Sequence, residues 1–140
     1  VQRRFSIFEG NKESVELCAK KNLACLIRGP RAMGDSTGKF NASSTFSEDD
    51  IRSIIHGFGL TYFKDGKPDA DSLKKLEAMR EILTSNNRTL AQGSLAWLWA
   101  LSEVTIPIPG FKTVQQVEDN CGALKKGPLT PEQMKEIAEL

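Results

Sequence analysis

The stretch "TIPIPGFKTVQQVEDN", Thr105–Asn120, decides how this chain is read. Its first half is apolar, β-branched and proline-bearing, which suits a short strand that is not central in an antiparallel sheet. Pro109-Gly110 then turns the chain, Lys112 stands just beyond the glycine, and a helix begins near Thr113. In open or closed α/β sheets, a strand C-terminus followed by a helix N-terminus is where phosphate groups bind, because unpaired N–H groups and the helix dipole converge there. Lys112 adds a cation to that position.

Working outward, the N-terminal side repeats the alternation of strand and helix. "VQRRFSIF" (1–8) reads as a short strand ending at the "EGN" turn, and Asn11 caps a surface helix over 12–21 with Val15, Leu17, Cys18 and Ala19 on its apolar side. "NLACLIRG" (22–29) is a continuous apolar run, as expected for a strand covered on both faces. Strand, helix and strand make one βαβ unit. The glycine-rich, polar stretch 28–50 is too long for a plain connector. Ser47 is expected to cap a helix over "SEDDIRSII". Helices are also expected over 69–86, where Leu73, Leu76, Met79, Ile82 and Leu83 recur at helical spacing, and over 89–103, capped by Thr89 and apolar all round. The tail forms a last helix with Thr130 as cap and Pro131 at its first position.

The resulting order, β-α-β-α-α-β-α-α, predicts an α/β chain with about three parallel strands, read as a single domain over 1–140. Three such strands leave two open edges and an uncovered inner face. A closed barrel takes about eight strands and about 250 residues. The chain therefore reads as part of a (β/α)8 barrel, a half-barrel-like piece.

Composition removes several functions. Nineteen Lys and Arg against eighteen Asp and Glu leave a net charge of +1, which offers no imbalance for nucleic acid or a membrane surface. "LAWLWAL" (95–101) is well short of the roughly 20 apolar residues a membrane helix needs. Cys18, Cys25 and Cys121 form no C-x-x-C pair and have only His56 for company, so no metal site is expected and the thiols read as buried in a reducing cytoplasm. The opening Val1, in place of methionine, leads us to expect that a segment preceded it. His56 lies in the glycine-flanked "IIHGFGL", and Tyr62, in the loop-like "LTYFKDGKP", has no acid or lysine at a tuning distance along the chain; neither is expected to be catalytic.

Two loops remain as anion sites: "RGPRAMGDSTGK" (28–39), where Gly29, Gly34 and Gly38 permit close backbone approach and Arg28, Arg31 and Lys39 bring charge, and the opening stretch with Gly110 and Lys112. Two such loops from neighbouring strands are suited to one dinucleotide.

At these residues the chain resembles a known family. "RGP" (28–30), "AMG" (32–34), "TGKF" (37–40), "SEDDIRS" (47–53), "LAQGSLAWLWA" (90–100), "TIPIPGFKTVQQVEDNCGAL" (105–124) and "LTPEQM" (129–134) resemble, in order and over nearly the whole chain, the C-terminal part of bacterial aldo-keto reductases. Those are (β/α)8 barrels that reduce aldehydes and ketones with NADPH. The resemblance implies that the three strands are the sixth, seventh and eighth of the barrel. It implies that Gln2 contacts the nicotinamide amide and that Arg28 packs on the nicotinamide ring, at a position that is tyrosine in many members. Gly29, Pro30, Ala32, Gly34 and Lys39 would cover the pyrophosphate, while Gly110, Phe111 and Lys112 would face the adenosine 2′-phosphate. Gln116, Asp119 and Asn120 fall near phosphate and adenine, with glutamate commoner than aspartate at 119.

Departures from the family pattern limit these expectations. Arg31, Asp35 and Ser36 stand where leucines are usual, at a loss of roughly 1.5–3 kcal/mol for each apolar anchor, and an aspartate repels a pyrophosphate. NADP(H) binding is therefore expected to be weak. The Asp, Tyr, Lys and His that catalyse in the family have no counterpart here, so no catalytic residue is assigned and the chain alone is expected to be inactive. The alternative is an oligomeric half-barrel that binds or builds without catalysing, its open edges covered by self-association and its Arg31, Asp35 and Ser36 on a newly exposed or paired surface.

Overall fold

A computed structural model describes residues 1–54 and 61–140. Three strands form one parallel sheet: β1 (Gln2–Arg4) and β5 (Thr105–Ile108) flank β2 (Cys25–Arg28). In the register, Leu26 lies between Gln2 and Ile106, and Arg28 between Arg4 and Ile108. Pro107 is tolerated because, among the described residues, β5 is an edge strand with one side free of ladder partners.

Helices form where local capping starts them. α1 (Lys12–Lys20) begins where the Asn11 side chain accepts from the Ser14 N–H at 3.1 Å, and it buries Val15 and Cys18. Leu17, expected inward, is 57% exposed, because its side chain falls beyond the narrow stripe that meets the sheet. α3 (Ala70–Thr84) starts at Asp69 and ends before Asn86 and Asn87, both with positive φ. α4 (Leu90–Leu101) is entered through a capping box of Thr89 with Gln92, α5 (Val114–Lys126) through Thr113, and α6 (Pro131–Ala138) through a second box of Thr130 with Gln133. α4 is the most buried helix, and Gly93 explains its close fit: a Cβ there would come within 2.3 Å of the Leu83 carbonyl oxygen on α3. The main core joins Cys25 and Ile27 of the sheet to Leu76, Met79 and Leu83 of α3 and Ala96 and Leu98 of α4. Phe5 packs edge to face on Trp97 at 5.7 Å.

Two expectations are corrected in the middle of the chain. Residues 61–68 are not a plain loop: β3 (Phe63–Lys64) and β4 (Lys67–Pro68) pair antiparallel around Asp65-Gly66, whose φ values of 50° and 68° suit a type I′ turn. Ser47 does not cap a helix; its carbonyl accepts the Asp50 N–H at 3.0 Å, and α2 (Ile51–Ile54) follows with Asp50 binding the Arg52 N–H at 2.9 Å. His56 lies outside the described residues. Around the hairpin a second core gathers Tyr62, Phe63, Phe40 and Phe46, with centroids 5.0–5.8 Å apart and edge-to-face rings. Tyr62 is 2% exposed, and its hydroxyl donates to Glu9 at 3.1 Å. Burial, with the Glu9 charge next, pushes that phenol well above its ordinary value.

Candidate functional site

The two glycine-bearing loops, 28–39 and 110–112, meet. An open cleft of about 860 Å³ is walled on one side by Gly29, Pro30, Arg31, Gly34 and Lys39 after β2, and on the other by Gly110, Phe111, Lys112, Gln116 and Asp119 after β5. The first wall is built from unusual backbone. Gly29 and Gly34 have φ of 64° and 99°, and Ala32 and Met33 are also left-handed at 46° and 56°, so the chain winds into two tight turns over 32–37. At Gly34 a Cβ would meet the Lys39 side chain at 2.9 Å, so the missing side chain is what lets Lys39 lie against the loop. The second wall is the N-terminus of α5, where the Gln116 side chain accepts the Lys112 N–H at 2.7 Å and thereby fixes the turn.

Not every expected residue reaches the cleft. Ala32 is fully buried beneath the loop and only supports it. Asn120 is 7% exposed, and neither atom of its amide has a hydrogen-bond partner among the described residues. Gln2 and Arg28 line a separate hollow of about 360 Å³, together with Arg3, Arg4, Glu9 and Ser14. Because Arg28 and Gly29 are consecutive, the hollow and the cleft are neighbours along the chain.

Arg52 carries no signal in the sequence, where "SEDDIRS" reads as the acidic start of a helix. It lines the cleft with Asp50, pairs with both carboxylate oxygens of Asp50, and lays its guanidinium 4.2 Å over Phe46 and 5.2 Å over Phe40. The ion pair lowers the Asp50 carboxyl through the hydrogen bonds from Arg52 and raises Arg52 in return. Two phenylalanines six and twelve residues away along the chain, at 46 and 40, give no hint of this platform, since it exists only once the hairpin has folded onto them.

Cations dominate the cleft. Lys39 is pushed below the ordinary lysine value first by burial, then by the charges of Arg52, Arg31 and Lys112. Arg31 is lowered by burial and partly restored by Asp119. Repelling cations held close together on two glycine-shaped walls are an arrangement that an incoming anion relieves.

Asp35 and Ser36 do not sit on a newly exposed surface, as the oligomeric alternative expected. They are 1% and 0% exposed, turned inward against α3 and α4 because the left-handed turns at 32–34 rotate the next residues toward the core. Asp35 faces away from the cleft, which removes the direct repulsion of a bound anion from that wall. Cys121, expected buried, is exposed, while Cys18 and Cys25 are buried.

The sequence profile described as "Aldo/keto reductase family" matches residues 1–140. The chain belongs to this family. It is 33% identical to the NADP(+) aldo-keto reductase yakc of Schizosaccharomyces pombe over 99% of its length, and 32% identical to the chloroplastic pyridoxal reductase of Arabidopsis thaliana over 88%. Among solved structures it superposes on a glycerol dehydrogenase from Gluconobacter oxydans with a TM-score of 0.81 at 22% identity, covering 99% of this chain. An aldo-keto reductase from Bacillus halodurans gives a TM-score of 0.63 at 20% identity. The chain spans 40% of the yakc protein and 40% of the glycerol dehydrogenase chain. Its three parallel strands and flanking helices are thus a part of the (β/α)8 barrel of aldo-keto reductases.

No helix among the described residues is long and apolar enough to cross a membrane.

Proposed function

We propose that this chain is the part of an aldo-keto reductase barrel that holds NADP(H). The observation that carries the reading is the convergence of Arg31, Lys39, Arg52 and Lys112 on one cleft between the two glycine-shaped loops. The residues fit such a group: Gly29 leaves the backbone open to a pyrophosphate, Lys39 lies against Gly34 beside it, and Lys112 stands at the α5 N-terminus for a further phosphate. Gln2 and Arg28 line the hollow just before Gly29 in the chain, which supports their taking the nicotinamide end. When bound, the cofactor supplies a hydride; the residues described here bind and orient it.

The chain alone is expected to lack reductase activity on aldehydes and ketones. Its phenol, Tyr62, is buried, donates to Glu9 and is pushed well above its ordinary value by burial, so it is a poor proton donor to a carbonyl oxygen near neutral pH. Robust NADPH oxidation with an aldehyde by the purified chain would overturn that expectation.

Calorimetric titration with NADPH tests the cofactor reading. We expect weak but measurable binding, reduced about tenfold in Lys112→Ala, in line with the loss of one charge-assisted contact. No heat of binding at millimolar cofactor would refute the reading. It would leave the second one, a self-associating half-barrel without a cofactor, which is favoured by the exposed Ile106 and Ile108 on the inner side of the sheet.

A further inference from the structure

The cations of the cleft are not equivalent. Arg52 is committed to Asp50 through two hydrogen bonds and to the rings of Phe40 and Phe46. Lys39 lies against its own loop, 4.6 Å over Phe40 and close to Gly34. Lys112 is exposed at the opposite wall. Arg31 alone among the described cations crosses the cleft: it belongs to the β2 wall, yet its Nη2 donates to the Gly110 carbonyl, two residues before Lys112. Its remaining charge is balanced at a distance by Asp119, whose carboxylate already accepts the Thr89 hydroxyl at 3.1 and 3.3 Å.

A neutral carbonyl is a poorer partner for a guanidinium than a phosphate, whose oxygens accept two parallel bonds and carry the opposite charge. A phosphomonoester bears about 1.5 to 2 negative charges near neutral pH. One exposed lysine leaves such a group half-neutralised. A pyrophosphate, by contrast, already has Lys39 and the Gly29 and Gly34 backbone on its side of the cleft.

We propose that Arg31 and Lys112 form a two-cation clamp for a phosphomonoester, with Arg31 as the specificity-determining residue that moves from the Gly110 carbonyl onto the phosphate oxygens. The inference rests on the NADP(H) reading and deepens it: Arg31, rather than Lys112 alone, sets the preference for a 2′-phosphorylated dinucleotide over one with a free 2′-hydroxyl. It also assigns a role to a residue that stands where the family usually has an apolar anchor.

The test is calorimetric titration of the intact chain, and of Arg31→Leu and Arg31→Lys, with NADP+ and with NAD+, at two salt concentrations. Wild type is expected to prefer NADP+. Arg31→Leu should bind NADP+ about tenfold or more weakly with NAD+ affinity unchanged, and its NADP+ affinity should fall less steeply with salt. Arg31→Lys should recover most of the preference, which a purely structural strap to Gly110 would not require. Arg31 is only partly buried, so both variants are expected to fold, and their thermal midpoints are read alongside. Equal weakening toward both dinucleotides, or an unchanged preference in Arg31→Leu, would overturn this inference alone. A wild-type chain that binds neither would overturn the cofactor reading and this inference with it.

Discussion

Asp35 is the residue whose placement departs most from what a polar side chain on a glycine-rich loop suggests. It is 1% exposed, and neither carboxylate oxygen accepts a hydrogen bond among the described residues; the Ser72 hydroxyl beside it donates instead to the Asp69 carbonyl at 2.9 Å. Burial, eased a little by Ser72 and worsened by the Asp69 charge, raises its carboxyl from 3.8 to about 6. Because the folded chain holds this proton more tightly than the unfolded chain, stability falls as pH rises from about 4 to about 6, and the penalty of about 3 kcal/mol is fully present above that window. Asp35→Asn removes the charge at nearly constant volume. We expect it to raise the thermal midpoint relative to wild type at pH 7.5 by several degrees, with the advantage shrinking toward pH 4.5. An advantage that does not vary with pH would show that the Asp35 charge carries no such cost.

At the scale of elements, the packing of α4 against α3 fixes the back of the cleft, since Thr89 and Ala91 at the start of α4 line it. Gly93 permits that contact. Adding one methyl at 2.3 Å from the Leu83 carbonyl leaves backbone, not a flexible tip, to move. Gly93→Ala is therefore expected to lower unfolding free energy by about 1–3 kcal/mol, as overpacking does, despite the gain in helix propensity that alanine ordinarily brings. Urea denaturation measures it, and a neutral or stabilising change would mean that α3 and α4 separate without cost. Arg88 ties the same layer from the other end: it is 7% exposed and donates to the carbonyls of Lys126 and Pro128, capping the end of α5 from the α3–α4 turn. The capped helices were readable in the sequence because a cap is a contact between residues three apart. The β3–β4 hairpin was not read, although Asp65-Gly66 marks it, because its strands are two residues long and show no alternation.

For the whole molecule, the sheet has one face covered by helices and one left open. Cys25, Ile27 and Thr105 point into the core, whereas Gln2 and Arg28 are exposed and Ile106 and Ile108 are 45% and 44% exposed on the other side. In a closed barrel that side is the packed interior. Two exposed isoleucines on an open face, with edges at β1 and β5 that are free among the described residues, are expected to draw the chain into association with itself when nothing else covers them. Sedimentation at tens of micromolar should show species larger than a monomer, and Ile108→Lys should shift them toward monomer. A single monomeric species across that range would argue that the open face is stable in water.

What the sequence determined by itself is whatever depends on neighbours along the chain: the strand–helix alternation, the caps at Asn11, Thr89 and Thr130, and the two loops suited to anions. Parallel pairing then followed from that alternation, because a helix between strands returns the chain to the same end of the sheet. The tertiary structure alone decided that 28–39 and 110–119 face each other across one cleft, that Arg31 reaches over it to Gly110, that Arg52 rests on Phe40 and Phe46, and that Asp35 turns inward. Each of these depends on distance in space between residues far apart in sequence, which local propensity and periodicity do not encode.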